Sequence, residues 1–500
     1  MQLPRSYYNI TSFVGTLISG ISLLLIIFLF LVSVLLDQGS SYLGLFIYIL
    51  LPGFLILGLI LIPIGMLIQH RKNKKGEGDK APAMLKLDLN DPTHRNGFYI
   101  FIVGTVILLL LSGIGSYEAY HYTESVEFCG TMCHKVMNPE YTTFQNSPHA
   151  RVACVECHVG SGASWYVKSK LSGLYQVYSV IFNKYPRPIP TPVTSLRPAR
   201  ETCEECHWPQ KFYSPRFTYE KHYLSDTVNT EWNIQLKMKI SASHKAEGLA
   251  EGIHWHINPD VKIEYFASSP DRENIPLVRK INLVTGDTTV FVDSNDPVDA
   301  DTINTSELRV MDCMDCHNRP SHNYDIPSNF IDEGIASGEI PVELPNIKLE
   351  AMEMLKVSYP TTDTALMMIE QGIKSYYAEN FPEISAEKSD EIDQAIKGIK
   401  AGYINNIFPE MKASWDVYPD HIGHKVYNGC FRCHNDTHES KTGEVISKDC
   451  NTCHSILLQG TPGNLEVAPF NEELEFIHPV DIGGAEKEVL CTECHRYLYL

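Results

Sequence analysis

Apolar residues are concentrated at the beginning of the chain, in three runs that each have about the length of a membrane span. The runs cover residues 11–36, 42–68 and 98–114. A helix rises about 1.5 Å per residue and has to cross a hydrocarbon core of about 30 Å. The first run is too long for a cleaved signal peptide and lacks an A-x-A-like cleavage site. The pattern therefore predicts that residues 1–116 form a three-helix transmembrane anchor.

The segments between the runs differ in positive charge, which predicts the orientation of the anchor. Residues 37–41 contain no Lys or Arg, whereas the second segment contains Arg71, Lys72, Lys74, Lys75, Lys80, Lys86 and Arg95. Because cytoplasmic loops are enriched in Lys and Arg, the second segment is predicted to be cytoplasmic. We expect a multi-pass protein of a bacterial inner membrane, with a cytoplasmic N-terminus and the residues after 116 in the periplasm.

Beyond the anchor, the period of the apolar positions changes several times. Residues 164–183 have the pattern of an amphipathic helix at the membrane interface, and a proline-rich stretch follows at 185–192. Residues 225–310 favour β-strands, including a two-residue hairpin turn led by Gly286. Residues 349–408 favour helices, one of them starting at Ser389, and their apolar stripes predict a buried core rather than a cofactor site.

Charge is divided unequally between the anchor and the rest of the chain. Residues 1–116 carry a net charge of +3 and the whole chain carries −19, so the remainder carries −22. An acidic periplasmic domain argues against nucleic acid as a partner. It suits docking to basic soluble proteins, and a requirement for solubility accounts for it equally well.

The fourteen cysteines form seven motifs that each end in histidine. Six have the C-x-x-C-H spacing that attaches c-type haem, and the first has one more residue between its cysteines. Zinc sites have no need of the adjacent histidine. In such a motif both thiols bind the porphyrin and the histidine is the proximal ligand of the iron. Numbered in chain order, the motifs are Cys129/Cys133/His134, Cys154/Cys157/His158, Cys203/Cys206/His207, Cys313/Cys316/His317, Cys430/Cys433/His434, Cys450/Cys453/His454 and Cys491/Cys494/His495.

Histidines outside the motifs supply candidates for the second axial ligand of each iron. His70 and His94 are excluded because they lie in the predicted cytoplasmic segment. If residues 254–256 form a strand, one of His254 and His256 binds iron while the other faces away; His254 is favoured and His256 stays open. The candidate distal ligands are His149, His222, His254, His256, His322, His424, His438 and His478.

Together these features predict a multihaem c-type cytochrome. Its three N-terminal transmembrane α-helices precede a periplasmic, mostly α-helical or irregular haem domain with a small β insertion. The expected divisions are residues 117–224 with the first three haems near the membrane, 225–310 as the β-rich insertion with an axial histidine, 311–415 with the fourth haem and the helices, and 416–500 as a compact three-haem cluster.

Three stretches resemble the N-terminal haem pair of the NapC/NirT family of membrane-anchored quinol dehydrogenases. They are Cys133-His-Lys-Val-Met-Asn-Pro-Glu-Tyr141, Asn146-Ser-Pro-His149 and Cys154-Val-Glu-Cys-His-Val-Gly160. The wider chain, with Gly252-Ile-His-Trp-His256 and Cys316-His-Asn-Arg-Pro-Ser-His322, resembles the larger ImcH-type inner-membrane cytochromes of metal-respiring bacteria. This resemblance implies oxidation of quinol, menaquinol above all, at the membrane-proximal haem and transfer of electrons to periplasmic c-type cytochromes.

The resemblance also implies roles for residues near the first motif. A methionine after the motif serves the family as axial ligand, and here Met137 or His134 takes that position. A lysine and an acid bind quinol in the family; Lys168 and Lys170 match the lysine, while Gln176 stands where the acid is expected. Glu140 or His121 would then accept protons. Both lysines have an alternative role, since such side chains also extend toward lipid headgroups.

Two other functions compete with quinol oxidation. A passive membrane-anchored electron-transfer cytochrome would use the same haems, although a single transmembrane span would anchor it. A multihaem terminal reductase would leave one iron open to substrate, and a C-x-x-C-K motif typical of such a haem is absent from the sequence. The sequence therefore favours a quinol:cytochrome c-type oxidoreductase.

Overall fold

The computed structural model describes residues 7–35, 50–74, 88–160, 162–193, 197–208, 212, 214–242 and 252–498. The chain divides into two compact units. One contains Met1–Ser125 and Cys154–Tyr175, and the other contains Val126–Ala153 and Gln176–Leu500. The first unit thus holds the apolar N-terminal runs and the second motif, and the second unit holds the other six motifs.

The first unit contains long helices at Ile10–Leu35, Leu51–Lys74 and Pro92–Glu124. The first two pack closely through small residues. The Ser12 hydroxyl donates a hydrogen bond to the carbonyl of Ile62 at 2.9 Å. A Cβ atom on Gly15 would lie 2.7 Å from the carbonyl oxygen of Gly58. Because only small residues allow backbones to approach this closely, the pair has the packing expected of membrane helices.

Two helical segments in the described part of the chain are long and apolar enough to cross a membrane, Ile10–Leu29 and Leu51–Asn73. The predicted count of three spans is therefore corrected to two for these residues. The predicted second span starts at residues 42–49, which lie outside the description. The predicted third span, residues 98–114, falls within helix Pro92–Glu124. Several side chains of this helix lie outside the description, so the third span stays a prediction.

Most other helices of the described residues are short. They are Val126–Thr131, His134–Gln145, Cys154–His158, Ala163–Ile181, Ala199–Cys203, Cys313–Cys316, Pro327–Ala336, Ile347–Leu355, Thr362–Asn380, Pro382–Glu387, Ser389–Asn406, Ala485–Glu488 and Cys491–Leu498. Short stretches of 3-10 helix occur at Ile253–Ile257, Thr305–Glu307, Pro409–Met411, Gly429–Arg432 and Cys450–Thr452. The helix predicted at 164–183 is confirmed, and the proline-rich stretch after it is not helical.

The second unit contains two antiparallel sheets. The first has the order β1 (Arg216–Tyr223), β2 (Glu231–Met238), β8 (His454–Thr461), β9 (Asn464–Val467). The second has the order β6 (Arg309–Val310), β3 (Val261–Phe266), β4 (Leu277–Asn282), β5 (Thr288–Asp293), β7 (His438–Ser440). Both sheets therefore join the middle of the chain to its C-terminal segment.

The β structure extends beyond the predicted range of 225–310. Strand β1 begins at Arg216, and β7, β8 and β9 come from the segment that was predicted only as a haem cluster. The β4–β5 hairpin is confirmed, whereas its predicted two-residue turn is wrong. Five residues, Leu283–Asp287, connect the strands. Gly286 has a φ of 82° there, which glycine adopts without the steric cost of a side chain.

The helices between residues 327 and 408 pack around an apolar core that contains no haem motif. Ile369, Ile373 and Tyr377 of one helix are fully buried against Ile399 and Tyr403 of another. The four-residue spacing puts each set on one helix face, since positions i and i+4 are neighbours on a helix. This confirms that the apolar stripes form a core.

Truncation of this core is expected to unfold the helical segment selectively. Ile373→Ala removes a side chain with no exposed surface and should cost about 2–5 kcal/mol, because a cavity adds to the lost burial. The midpoint of thermal unfolding by circular dichroism measures the loss. Met367→Ala changes a half-exposed residue of the same helix and should have a much smaller effect. Equal shifts in both variants would contradict this view of the core.

Candidate haem sites and the membrane-proximal pocket

The third, fourth and fifth motifs each form a single helical turn. The backbone N–H of His207 donates to the carbonyl of Cys203 at 2.8 Å, and His317 and His434 make the same bond to Cys313 and Cys430 at 2.8 and 3.0 Å. This turn puts the first cysteine and the histidine on one face, four residues apart. All fourteen cysteines lie within the described residues, and none of them forms a disulfide. In the described residues no disulfide therefore competes with attachment of a cofactor at these thiols.

The motif cysteines differ in how far the protein encloses them. Cys157, Cys206, Cys450 and Cys494 are exposed, whereas the other ten are partly buried. This exposure disagrees with the enclosure expected of residues in a cofactor site, so at these four positions burial does not support the predicted attachment. A thioether bond holds the porphyrin without a deep protein pocket, which is why an exposed thiol can still be an attachment point. Haem attachment at Cys157, Cys206, Cys450 and Cys494 therefore stays a prediction from spacing alone, and attachment at the other ten cysteines stays a prediction as well.

Five motif histidines face a second histidine across a gap of constant width. The ring centres are 6.1 Å apart for His149 and His207, 6.3 Å for His254 and His317, 5.9 Å for His256 and His434, 6.1 Å for His424 and His454, and 6.0 Å for His478 and His495. Imidazoles bind first-row metals at about 2 Å, so two rings on opposite sides of one metal have centres about 6.4 Å apart. The five pairs therefore fit haem iron held between two imidazoles.

Backbone carbonyls orient several of the distal rings. The Nδ1 atom of His149 lies 3.1 Å from the carbonyl oxygen of Pro320, and the Nδ1 atom of His254 lies 2.7 Å from that of Ile240. The Nδ1 atom of His256 lies 2.7 Å from the carbonyl oxygen of Ile253, and the Nδ1 atom of His478 lies 2.8 Å from that of Val480. A ring that donates through Nδ1 keeps Nε2 as its basic nitrogen, which is the usual arrangement of metal-ligating histidines. These contacts orient each ring, and in His149, His254 and His256 they favour a proton on Nδ1. The Nδ1 of His478 also lies 3.3 Å from the N–H of Val480, so its contacts orient the ring without selecting a tautomer.

His254 and His256 both face motif histidines, contrary to the sequence-based choice between them. The strand assumed in that choice is wrong, since Ile253–Ile257 is a 3-10 helix. In this tight turn the two rings diverge, and they reach the fourth and fifth motifs respectively. One short segment thus serves two neighbouring sites.

Two of the candidate distal ligands are committed to other contacts, and the structure corrects their assignment. His438 is fully buried, with Nδ1 2.9 Å from Oδ1 of Asn435 and Nε2 2.7 Å from the carbonyl oxygen of Ile275. His222 lies between two carboxylates, with Nδ1 3.2 Å from Asp332 and Nε2 3.6 Å from Glu220. Because both ring nitrogens are engaged in each case, neither residue has a nitrogen left to bind iron.

Glu140 belongs to a polar network rather than to an open site. Its carboxylate accepts a hydrogen bond from the Tyr324 hydroxyl at 3.0 Å, and Arg319 lies 3.5 Å away. The guanidinium of Arg319 is stacked between the rings of Tyr324 and Tyr418. His322 places Nδ1 2.9 Å from the carbonyl of Glu140, so it has the ring orientation seen in the other distal histidines. His322 stays a predicted ligand, whereas Glu140 is held as a structural acceptor.

Asp315, inside the fourth motif, ties that motif to the fifth. Its buried carboxylate accepts hydrogen bonds from Tyr265 and Arg309, both at 2.6 Å, and from Arg272 at 2.8 Å. Its carbonyl accepts a hydrogen bond from Arg432 of the fifth motif at 2.6 Å. Sequence analysis did not single out these residues. The sequence contains one indication of this link, because Asp315 and Arg432 occupy variable positions of two successive C-x-x-C-H motifs and carry opposite charges.

The membrane-proximal pocket is defined here by Glu124, Tyr166 and Lys170, all in the first unit. The Lys170 ammonium lies 3.8 Å from Oε1 of Glu124 and 5.1 Å from the centre of the Tyr166 ring. That carboxylate oxygen is buried and accepts no hydrogen bond from the described residues. Burial and the negative charge of Glu124 raise the pKa of Tyr166. The pocket thus combines a cation, a carboxylate and a phenol.

The other predicted quinol-site residues are less enclosed. The Lys168 ammonium lies 4.5 Å above the Trp165 ring, and the His121 ring contacts Tyr117 and Tyr120. Gln176 is exposed on the same helix as both lysines. Glu124 itself was missed, because its approach to Lys170 depends on the fold and leaves no trace in local spacing.

Met137 lies one helical turn after the second cysteine of the first motif. Its backbone N–H donates to the carbonyl of Cys133 at 3.0 Å, which puts both side chains on one face of the helix. The side chain of His134 is outside the description. The choice between His134 and Met137 as iron ligand therefore stays open.

Paired imidazoles beside motif thiols, on a chain with apolar N-terminal helices, define a membrane-anchored multihaem c-type cytochrome. Residues 92–188 match the N-terminal region of the NapC/NirT cytochrome c family. The chain is 43% identical over 489 residues to the cytochrome c-type protein ImcH of Geobacter sulfurreducens, covering 98% of this chain and 95% of that one. It is 31% identical over 97 residues to the cytochrome c-type protein NrfH of Wolinella succinogenes, covering 19% of this chain and 54% of that one. No solved structure matches the chain.

The chain therefore belongs to the NapC/NirT cytochrome c family, as the sequence predicted. Membership establishes covalently bound haem, electron transport and anchoring in a membrane by apolar helices.

The histidine pairs generate a prediction about individual haems. His256→Met should convert one bis-histidine haem into a His/Met haem and raise its potential, because a thioether ligand favours the reduced iron. Low-temperature electron paramagnetic resonance with redox titration measures both changes. His438→Gln is the matched control, since that ring is held by Asn435 and Ile275 and the haem signals should persist. Loss of a bis-histidine signal only in the control would contradict the assignment.

Proposed function

We propose that this cytochrome is a membrane quinol dehydrogenase. It oxidises quinol, most naturally menaquinol, and passes the electrons through seven c-type haems to periplasmic c-type cytochromes in anaerobic or extracellular respiration. The observation that carries the proposal is the ion pair of Lys170 and Glu124 beside Tyr166. Family membership and the apolar helices support a substrate taken from the bilayer.

The seven haems are assigned to the seven motifs. The motif cysteines would hold the porphyrins covalently, and the motif histidines would be the proximal ligands. The spacing of the imidazole pairs supports His149, His254, His256, His424 and His478 as distal ligands of the third to seventh haems. Burial lowers the pKa of His454 to about 4 and so keeps its ring neutral, the form that binds metal. Bound haem supplies reversible one-electron transfer.

The membrane-proximal pocket has the groups that quinol oxidation requires. Conversion of a quinol to a quinone breaks two O–H bonds and releases two protons and two electrons. The Lys170 ammonium stabilises negative charge on a quinol oxygen as its proton leaves. Glu124 has a buried oxygen without a hydrogen-bond donor among the described residues, so a quinol hydroxyl can donate to it and pass on its proton. Glu124 therefore replaces Glu140 and His121 as the proposed proton acceptor.

The proposed topology places this pocket at the periplasmic surface. The proposal takes residues 98–114 as a third span in addition to the two apolar helices found in the described residues, and Glu124 ends the helix that contains these residues. The N-terminus and the segment with Arg71 and Lys72 are then cytoplasmic, and all seven motifs are periplasmic. Trp165 and Tyr166 have the amphipathic side chains typical of the headgroup level. A quinol that diffuses within the bilayer would reach the pocket from its side.

A passive electron-transfer cytochrome is the alternative function. It would need the same imidazole pairs but would have no use for an acid with an unsatisfied oxygen beside a lysine. A terminal reductase fits less well, because five of the motif histidines already face a second imidazole and leave no open iron there.

The proton-accepting role of Glu124 is tested by Glu124→Gln in the full-length holoprotein. The amide keeps the shape but cannot take the proton, so menaquinol-driven haem reduction in stopped-flow should slow by about 100-fold. Lys170→Ala should also slow it, without a change in the haem spectrum. Glu127→Gln, which changes an exposed acid slightly later in the chain, should react like the wild type. Dithionite should reduce every variant fully. A normal quinol rate in Glu124→Gln would refute this assignment.

The entry haem has its own test. If Met137 binds its iron, Met137→His should replace a His/Met or high-spin signal by a bis-histidine signal and lower the potential of that haem. Quinol-driven reduction should slow, and reduction by dithionite should stay complete. Absorption and electron paramagnetic resonance spectra report the ligand change. If spectrum and quinol kinetics both stay unchanged, the first haem is an ordinary relay and Met137 is not its ligand.

A further inference from the structure

The surface next to the last motif exposes large apolar side chains. The exposed fraction is 93% for Phe470, 64% for Val467, 50% for Ile477 and 52% for Val480. Ile477 and Val480 flank His478, whose ring faces His495 at 6.0 Å. Exposure of this much apolar surface beside a cofactor site is unusual for a surface that stays in water. We call residues 464–482 the exit face.

Hydrogen bonds of one buried glutamine fix two parts of the exit face against each other. The Gln459 side chain on β8 donates to the Glu466 carboxylate on β9 at 3.1 Å and to the carbonyl of Glu475 at 2.7 Å. It also accepts a hydrogen bond from the N–H of Ile477 at 3.1 Å. The exposed edge strand is thus fixed against the segment that leads into His478. Val467 on β9 and Ile477 are therefore carried by segments that the fold holds together, next to the predicted seventh haem site.

Acidic side chains surround these apolar residues. Residues 464–494 contain eight Asp and Glu and a single basic residue, Lys487. Of the acids, Glu466, Glu472, Glu473, Glu475, Asp481, Glu488 and Glu493 are exposed. Lys487 pairs with Glu475 at 2.7 Å, so the basic charge is partly neutralised. Two basic residues from elsewhere in the chain lie near this surface, since Lys448 donates to the carbonyl of Lys487 at 3.4 Å and the charge of Lys425 acts on His495. The rim is therefore mainly acidic, and an apolar centre with a polar, charged rim is typical of a transient docking surface.

We propose that the exit face is the docking surface for a soluble electron carrier with a ring of lysines around its own cofactor, and that the seventh haem is the exit. The inference rests on the proposed export of electrons and specifies where they leave. The acidic rim selects a basic partner and speeds its encounter, because opposite charges steer association. The apolar centre excludes water where the two cofactors approach. A small interface of this kind allows rapid release after each transfer.

The test measures binding of two oxidised proteins, so that neither quinol nor electron transfer takes part. The full-length holoprotein is titrated with lysine-rich mitochondrial-type ferric cytochrome c by isothermal calorimetry at low ionic strength. Glu472→Lys/Glu473→Lys should raise the Kd at least about tenfold, because two rim charges become repulsive. Phe470→Ala should raise it about fivefold, and that loss should persist at higher salt, since apolar contact is not screened.

Glu383→Lys/Glu387→Lys is the matched control, since it reverses two exposed acids on a helix without a haem motif. Its Kd should stay within about twofold of the wild type. Equal weakening in both double variants would show that total charge alone matters and would overturn the proposal. Unchanged binding in Glu472→Lys/Glu473→Lys would overturn it as well. Sedimentation showing that the exit face joins two copies of this chain would have the same consequence. Failure of quinol oxidation affects none of these readouts.

Discussion

The structure depends on one geometric constraint, that two imidazoles from distant parts of the chain lie about 6 Å apart at five of the seven candidate haem sites. His149 and His207, or His256 and His434, are far apart in sequence yet hold nearly the same spacing. Neither ring can be placed by local helix or strand propensity, so the scaffold has to place both. The sheets do this in part: β8 starts at His454 and pairs with β2, so one strand of a sheet begins at a proximal ligand.

A second constraint concerns charge between the fourth and fifth sites. Burial of the Asp315 carboxylate would be costly without partners, and Arg272, Arg309 and Tyr265 compensate it with hydrogen bonds. Arg432 then links the backbone of Asp315 to the fifth motif. Such a network stabilises one arrangement of the two motifs over others, because any displacement leaves a buried charge unpaired. The separation of the fourth and fifth motifs is thereby set by protein groups.

The motifs and the helical core could be predicted because their determinants are local. Cys313, Cys316 and His317 form one turn, and the stripe through Ile369 and Ile373 follows helix periodicity. Distal ligands are different, since any histidine outside a motif looks alike in sequence. His438 was a reasonable candidate until its two ring nitrogens proved to be held by Asn435 and Ile275. Long-range contacts cannot be predicted from local spacing either. Glu124 approaches Lys170 from another helix, whereas the family pattern pointed to Gln176 on the same helix as the lysine.

The helical segment without a haem motif has a structural role that explains its position in the chain. Its last helix, Ser389–Asn406, packs against helix His134–Gln145, which follows the first motif. Val136 of that helix is buried in one apolar cluster with Phe408 and Met411. If Met137 binds iron, its helix needs a rigid support, because a ligand shift of a fraction of an ångström changes the bond to the metal. Haems cannot provide such support on every side, whereas a close-packed apolar core can.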